Sequence, residues 1–131
     1  MFDLEPEEAR LLLNVALMAT GANRFRSAAR IFAALERYRP DAPSVAVGEA
    51  IALIRAHDFA RCVEFVDGTL RRFPGNAMLL AFKGMALLRM GRDEEARVPL
   101  GAAAAQTEDG AAAQLAGDML KDLESGSKGW K

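Results

Sequence analysis

The feature that most constrains this chain is a spacing of about 34 residues, the repeat period, that recurs along its length. Phe25 and Phe59 keep this spacing, as do Pro40 and Pro74. Small residues keep it at two sets of positions: Ala16, Ala50 and Gly84, and Ala28, Cys62 and Ala96. A fixed period of this length predicts a structural unit that is repeated along the chain, each copy packing against its neighbours.

The composition favours helices over strands. At 131 residues the chain is long enough for one domain that buries roughly two thirds of its unfolded surface. Ala and Leu are abundant whereas aromatic and β-branched residues are sparse, which predicts an all-α fold. The formal charge of −1 argues against a broad surface for nucleic acid or an anionic membrane.

Several features predict a cytoplasmic protein with no membrane insertion. Cys62 is the lone cysteine and suits a reducing compartment. The longest uncharged run, Leu11 to Asn23, is shorter than the about 20 residues that a bilayer crossing requires. Acidic residues precede this run, whereas a signal peptide begins with basic ones.

Turn residues divide the chain into three predicted helix pairs and a closing helix. The pairs occupy about 9–42, 43–76 and 77–110, the closing helix occupies about 111–124, and 125–131 is predicted to be a flexible tail. One domain would therefore cover residues 1–124. The first predicted helix ends at about Thr20, and the others run over about Arg24–Tyr38, Pro43–Ala56, Phe59–Phe73, Ala77–Met90, Arg92–Gln106 and Ala111–Glu124.

The third pair is predicted to be the least regular, and the closing helix is predicted to have a polar outer face. Asp93 stands where the third pair should carry an aromatic residue, and Pro99 falls inside its second helix, where it removes a backbone hydrogen bond. The closing helix carries Asp118, Lys121, Asp122 and Glu124, which suit the solvated end of a repeat array.

Paired helices with this period, small residues at the crossing points and a closing proline resemble the tetratricopeptide repeat. The resemblance implies a right-handed superhelical array in which the first helix of each pair lines a concave face. Positions 2, 5, 9 and 12 of each unit would point into that face, and most of them are large and apolar here: Leu13, Leu17, Val47, Ile51, Ile54, Met78, Met85 and Leu88.

Such a lining predicts a groove that binds an amphipathic helix or an apolar extended segment, because contiguous exposed apolar residues mark interaction sites. The alternative is that these residues form the core and are covered by the last helix or by tight curvature of the array.

The opening helix is apolar nearly all round. Leu11, Val15 and Met18 form one of its stripes, and no earlier repeat exists to cover them. We expect a partner protein or a second copy of the chain to cover this face. The alternative is that the N-terminal segment around Phe2 and Leu4 folds back over it.

The sequence supports no catalytic, metal or cofactor site. His57 and Cys62 are the only histidine and cysteine, so a zinc site built from several such ligands is excluded. Their positions are explained by a turn and by a small-residue packing site, and no glycine-rich phosphate loop follows a strand. We therefore predict that the protein is not an enzyme. Arg26, Arg30 and Arg37 share one side of the second helix and are predicted to form a solvated outer face, with an acidic partner as the alternative.

Two stretches resemble the chaperones of type III secretion needle subunits, the family known as YscG or PscG. They are the segment from Leu12 to Gly21 and the stretch from Leu88 to Gly91 that leads through Ala96 to the closing 118–121. The resemblance covers about residues 10–123. It implies that the groove clasps the C-terminal amphipathic helix of a needle subunit, while a small helical-hairpin co-chaperone packs on the N-terminal repeat. The client would stay monomeric until export.

Three other functions compete with this one. A chaperone of type III translocators resembles this fold but usually has a longer N-terminal extension than the five residues here. A reader of C-terminal carboxylates needs Lys and Asn at groove positions where this chain has Leu13, Leu17, Val47 and Ile51, so this function is disfavoured. A structural repeat module of a larger assembly remains as an alternative.

Overall fold

The computed structural model describes residues 6–38 and 41–125, with side chains from Leu11 onward. The regular elements of these ranges are all α-helices, and no strand occurs among the described residues, so the all-α prediction is confirmed. The predictions on Phe2, Leu4, Pro40 and the tail beyond Ser125 lie outside the described residues. The helices are α1 (Pro6–Gly21), α2 (Phe25–Tyr38), α3 (Pro43–Arg55), α4 (Phe59–Thr69), α5 (Ala77–Arg89), α6 (Asp93–Ala104) and α7 (Gly110–Glu124).

The predicted helix bounds hold to within one or two residues except at the end of α4. This helix ends at Thr69 instead of Phe73. Phe73 precedes Pro74, whose ring disfavours a helical conformation of the preceding residue. Gly75 then adopts a positive φ of 72°, which no continuing helix allows. The buried hydroxyl of Thr69 is satisfied within the last turn, where it donates to the Phe65 carbonyl at 2.8 Å.

Side chains and prolines fix the starts of three helices. Asn76 precedes α5, and its side-chain oxygen accepts from the Leu79 N–H at 3.0 Å. Asp109 caps α7 in the same way, accepting from the Ala112 N–H at 3.2 Å. Pro43 is the first residue of α3, where its missing N–H costs nothing. Each device satisfies or removes a donor that the first helical turn would leave unpaired.

The three turns that follow α1, α3 and α5 have the same hydrogen bonds and the same backbone conformation. Asn23, His57 and Gly91 lie one repeat period apart and have φ values of 63°, 61° and 77°. After each of these residues, the next N–H reaches back five residues: Arg24 to Ala19, Asp58 to Leu53 and Arg92 to Leu87, at 2.7, 2.9 and 2.9 Å. This pattern is the Schellman motif, which caps a helix through one residue in the left-handed region.

The backbone contacts divide the chain into two compact units. The first unit ends at Asp58 and contains α1 to α3, and the second begins at Phe59 and contains α4 to α7. The division falls inside the second predicted helix pair and not between pairs. Each helix of a repeat array contacts mainly its neighbours, so such a chain divides more readily than a globular core does. The prediction of one domain over 1–124 stays a prediction.

In the first unit α2 packs against both α1 and α3. Ala28, Phe32 and Leu35 form its buried side. A Cβ atom on Gly48 of α3 would lie 2.5 Å from the ring of Phe32, so the ring occupies the space that a side chain would need. The absence of a side chain at Gly48 thus lets α2 and α3 approach closely.

In the second unit α5 is the central helix, since it contacts α4, α6 and α7. A continuous apolar core joins α5, α6 and α7; it contains Ala81, Leu87, Leu88, Ala96, Leu100, Ala103, Ala116 and Met119. The helix α6 continues through the buried Pro99, whose ring lacks the N–H that would bond to the Glu95 carbonyl.

The small residues that recur at the repeat period are buried, as expected for residues at helix crossings. Ala16, Ala28, Ala50, Cys62 and Ala96 are fully buried, and Gly84 is buried as well. A Cβ atom on Gly84 would lie 2.4 Å from the Leu100 side chain. The smallest residue of this set therefore stands where two helices are closest.

We predict that Gly84→Ala lowers the free energy of unfolding by about 1–3 kcal/mol, because Leu100 is fully buried and has little room to move. Urea unfolding followed by circular dichroism measures the change. Gly101→Ala is the matched control: no neighbour lies within 4 Å of the added methyl group, so the variant should be as stable as the parent or stabilised by up to about 1 kcal/mol. A Gly84 variant of parental stability would contradict the close crossing.

We predict that His57→Gly leaves the fold intact and raises the free energy of unfolding by up to about 1 kcal/mol, because glycine adopts a positive φ without the steric cost that histidine bears. His57→Val should be destabilising, since a β-branched residue tolerates this conformation least. Thermal unfolding of the three proteins checks the order Gly, His, Val. A different order would remove the turn as the explanation of His57.

Candidate protein-binding surfaces

The outer face of α1 is apolar and exposed to solvent. Leu11 is 64% exposed, Val15 41% and Met18 71%, and these three residues are the stripe that the sequence singled out for a partner. Leu17, at 55%, borders them. The fully buried Ala16 lies on the opposite side of the helix, so α1 has one face toward its unit and one face without cover among the described residues.

The helix α3 is buried on most sides and has one partly open stripe. Ser44 and Arg55 are exposed at its ends, and Gly48 and Ile51 are half-buried between them. Val47, beside this stripe, is half-buried as well, as is Leu13 on α1. Of the predicted client residues in the first unit, Leu13, Leu17, Val47 and Ile51 are therefore accessible at least in part.

The helix α5 has the corresponding stripe in the second unit. Met78, Phe82, Met85 and Arg89 are half-buried and follow one another at steps of 4, 3 and 4 residues, which places them on one side of the helix. Three of the four are large and apolar, and two are methionines whose unbranched side chains adapt to the shape of a bound surface. This is the most apolar of the partly open stripes on α3 and α5.

Two of the predicted client residues are buried in the structure. Leu88 is 1% exposed and belongs to the core of the second unit, and Ile54 is 8% exposed. Ala81, at another predicted groove position, is fully buried. These residues lie on the side of their helices that packs against neighbouring helices. The open stripes instead pass through the next residue in sequence, Phe82 and Arg89 on α5, because one residue turns a helix by about 100°.

The arginines at the ends of these stripes make two contacts that the sequence analysis did not predict. The guanidinium carbon of Arg55 lies 5.7 Å from the ring centre of Phe25, and that of Arg89 lies 5.1 Å from the ring centre of Phe59. Both members of the pair recur after one repeat period. Each contact places a cation over the aromatic ring at the start of the preceding helix. The sequence signal was present in the arginines at 55 and 89, which share the period of the phenylalanines.

The residues considered for chemistry take structural positions. Cys62 is fully buried, and His57 occupies the left-handed position of its turn. Within the described ranges, no group of three or more His, Cys, Asp or Glu side chains is arranged to hold a metal ion. None of the described helices combines the length and the apolar character that crossing a bilayer would take.

Comparison of the chain with protein families, with curated proteins and with solved structures gives no match in any of the three. The functional argument therefore depends on the surfaces described above and on the spacing of the residues that form them.

We predict that a charge on α1 leaves the stability nearly unchanged and that a charge on the buried side of α5 is strongly destabilising. Met18→Glu should change the free energy of unfolding by less than about 0.5 kcal/mol, because the side chain is in water. Leu88→Asp should cost more than about 3 kcal/mol, because it buries a carboxylate in an apolar core. Chemical unfolding of both variants is the measurement. A strongly destabilised Met18 variant would show that α1 is covered within the chain.

Proposed function

We propose that this protein is a chaperone of the tetratricopeptide-repeat type that sequesters an amphipathic helix of a type III secretion needle subunit in the cytoplasm before export. The observation that carries the proposal is the partly open apolar stripe of α5, Met78, Phe82 and Met85. The protein would act by covering an apolar surface of the client, with no catalytic step and no cofactor.

The repeat assignment is supported by features that return once in every repeat period. The three Schellman turns share one hydrogen-bond pattern, and the contacts of Arg55 with Phe25 and of Arg89 with Phe59 have the same offset. A repeat array requires such recurrence, because each unit must present the same packing face to the next. Recurrence of turns, packing residues and ring contacts together favours repeated helical hairpins over an irregular helical domain.

The chaperone role is supported by how the open stripes are built. An amphipathic helix binds by laying apolar residues at i, i+3, i+4 and i+7 against an apolar surface. Met78, Phe82 and Met85 offer such a surface in the second unit, and Leu17 and Ile51 offer apolar contacts in the first. A needle subunit polymerises through apolar helix faces, so a protein that covers such a face would keep it monomeric.

The exposed face of α1 supports a second, separate contact. Leu11, Val15 and Met18 form an uninterrupted apolar stripe in water, which favours a helical-hairpin co-chaperone or a second copy of this chain as its cover. The alternative function, a structural module in a larger assembly, is favoured by the same face, since such a module also needs a permanent neighbour. The two differ in whether the partner of the α5 stripe is released for export.

We predict that Met78→Asp and Ile51→Asp each weaken binding of the needle subunit at least about tenfold, because a carboxylate must be desolvated when the client helix covers it. The measurement is co-purification of the co-expressed pair, followed by titration with the synthetic C-terminal helix of the subunit. Circular dichroism verifies that each variant keeps its helix content.

Val98→Asp is the matched control, since Val98 is 77% exposed and lies on α6, which contributes no residue to either stripe. It should bind as the parent does. Unchanged binding by the Met78 and Ile51 variants would remove the proposed client surface. Unfolding of the Ile51 variant alone would identify that residue as core and leave Met78 to decide the question.

A further inference from the structure

Three arginines form a row along the exposed face of α2. Arg26, Arg30 and Arg37 are all exposed, and they are separated by four and seven residues. At about 100° per residue these spacings place the three side chains within about 40° of one another around the helix. They follow the helix axis at intervals of about 6 Å and about 10.5 Å.

The guanidinium groups of this row have no ion pair within the chain as far as the structure describes it. Three basic residues of the second unit differ in this respect. Arg92 pairs with Glu95, Arg97 pairs with Glu94 at 3.2 Å, and Lys83 pairs with Asp67 at 2.6 Å. The hydrogen bond from Arg92 lowers the pKa of the Glu95 carboxyl. The one acidic residue of α2, Glu36, lies partly buried on a different side of the helix.

Small residues lie beside the arginines on the same exposed side. Ser27 and Ala34 are exposed, and Ala33 is half-buried. Such residues let another helix approach closely, while long arginine side chains reach around it. At the N-terminal end of the row is a shallow depression of ≈ 350 Å³, which Asn23, Arg24, Arg26 and Ser27 help to line. The exposed side of α2 therefore combines small residues with a row of positive charges beside them.

We infer that this face of α2 is a docking site for an acidic helix of a partner protein, one whose carboxylates are separated by four and seven residues. Guanidinium groups form bidentate hydrogen bonds with carboxylates, and a helix with that spacing presents all three carboxylates on one side. The site is distinct from the surfaces proposed for the client, since α2 contributes none of those residues. It therefore goes beyond the proposed chaperone function.

The chemistry of the face favours an acidic helix over nucleic acid or an anionic membrane. Single-stranded nucleic acid is bound by basic residues interleaved with exposed aromatic rings, whereas Phe32, the aromatic residue between these arginines, is buried. A membrane surface would need a broader basic patch together with apolar side chains that insert. Three arginines on one side of α2, at intervals of about 6 Å and about 10.5 Å, match carboxylates at the same intervals on a partner helix.

The test uses the full-length protein and a designed helical peptide rich in Ala and Gln, with three Glu residues separated by four and seven positions. A second peptide of the same composition has its Glu residues distributed around the helix. Fluorescence anisotropy at low and at physiological salt measures binding. We expect the first peptide to bind at least about tenfold more tightly than the second, and its affinity to fall as salt screens the charges.

Joint replacement with Arg26→Gln, Arg30→Gln and Arg37→Gln should weaken binding of the first peptide about tenfold or more. Glutamine keeps helix propensity, so the fold should be retained. The matched control, Arg61→Gln with Arg71→Gln and Arg97→Gln in the second unit, changes the net charge equally and should alter binding less than twofold. If the triple α2 variant loses helix content, Arg30→Gln alone should weaken binding about twofold.

Four outcomes would overturn the inference. They are no detectable binding of the first peptide, equal binding of both peptides, an equal loss in the control variant, or tighter binding of polyuridylate or of phosphatidylserine vesicles that the triple α2 variant abolishes. The last outcome would assign the face to nucleic acid or to a membrane.

Discussion

The structure depends on a turn in which one residue adopts a left-handed conformation directly after a first helix ends. The turn reverses the chain within three residues and satisfies the last carbonyls of the helix. Because the same hydrogen bonds follow α1, α3 and α5, each of these helices ends in the same backbone conformation.

The partly open stripes of α3 and α5 use equivalent positions of the repeat period. Ser44, Gly48, Ile51 and Arg55 on α3 correspond, one repeat period later, to Met78, Phe82, Met85 and Arg89 on α5. The backbone thus provides the same opening in each unit, whereas the side chains provide different chemistry. On α5 three large apolar residues line the opening; on α3 a serine and a glycine leave Ile51 as its main apolar contact. The stripe on α5 should therefore bind an apolar helix more tightly than the stripe on α3 does.

Most of the helical pattern could be predicted from the sequence because it rests on local signals. Prolines, glycines and the repeat period located the turns, and the small residues at helix crossings are buried as expected. The early end of α4 has no such signal: the helix ends at Thr69, before Pro74 can act on Phe73, and the N–H groups of Arg71 and Arg72 then bond to carbonyls three residues back.

The rotation of the open stripes could not be read from hydrophobicity alone. Leu88 and Arg89 are adjacent in the sequence. Hydrophobicity does not say which of the two lies on the open side of α5, because that depends on which side of the helix packs against the core. Leu88 is buried in the apolar core, and Arg89 is half-buried with its guanidinium group over the ring of Phe59. The apolar side chain is thus out of water while the charged one is only partly covered. A cation at the end of a first helix is therefore better evidence for the open side than a leucine at the preceding position, because the charge resists burial.

The two ends of the described chain differ in how their helices are covered. At the C-terminal end α7 packs on both α5 and α6, burying Ala112, Ala116 and Met119, while Asp118 and Lys121 face water. At the other end the outward side of α1 carries Leu11, Val15 and Met18 in water. An isolated exposed residue such as Val98 is ordinary on a protein surface, but several on one side of one helix form a patch that another surface would stabilise by covering it. The apolar side chains on the outward side of α1 are thus more exposed than the half-buried methionines of α5, so covering α1 would remove more apolar surface from water.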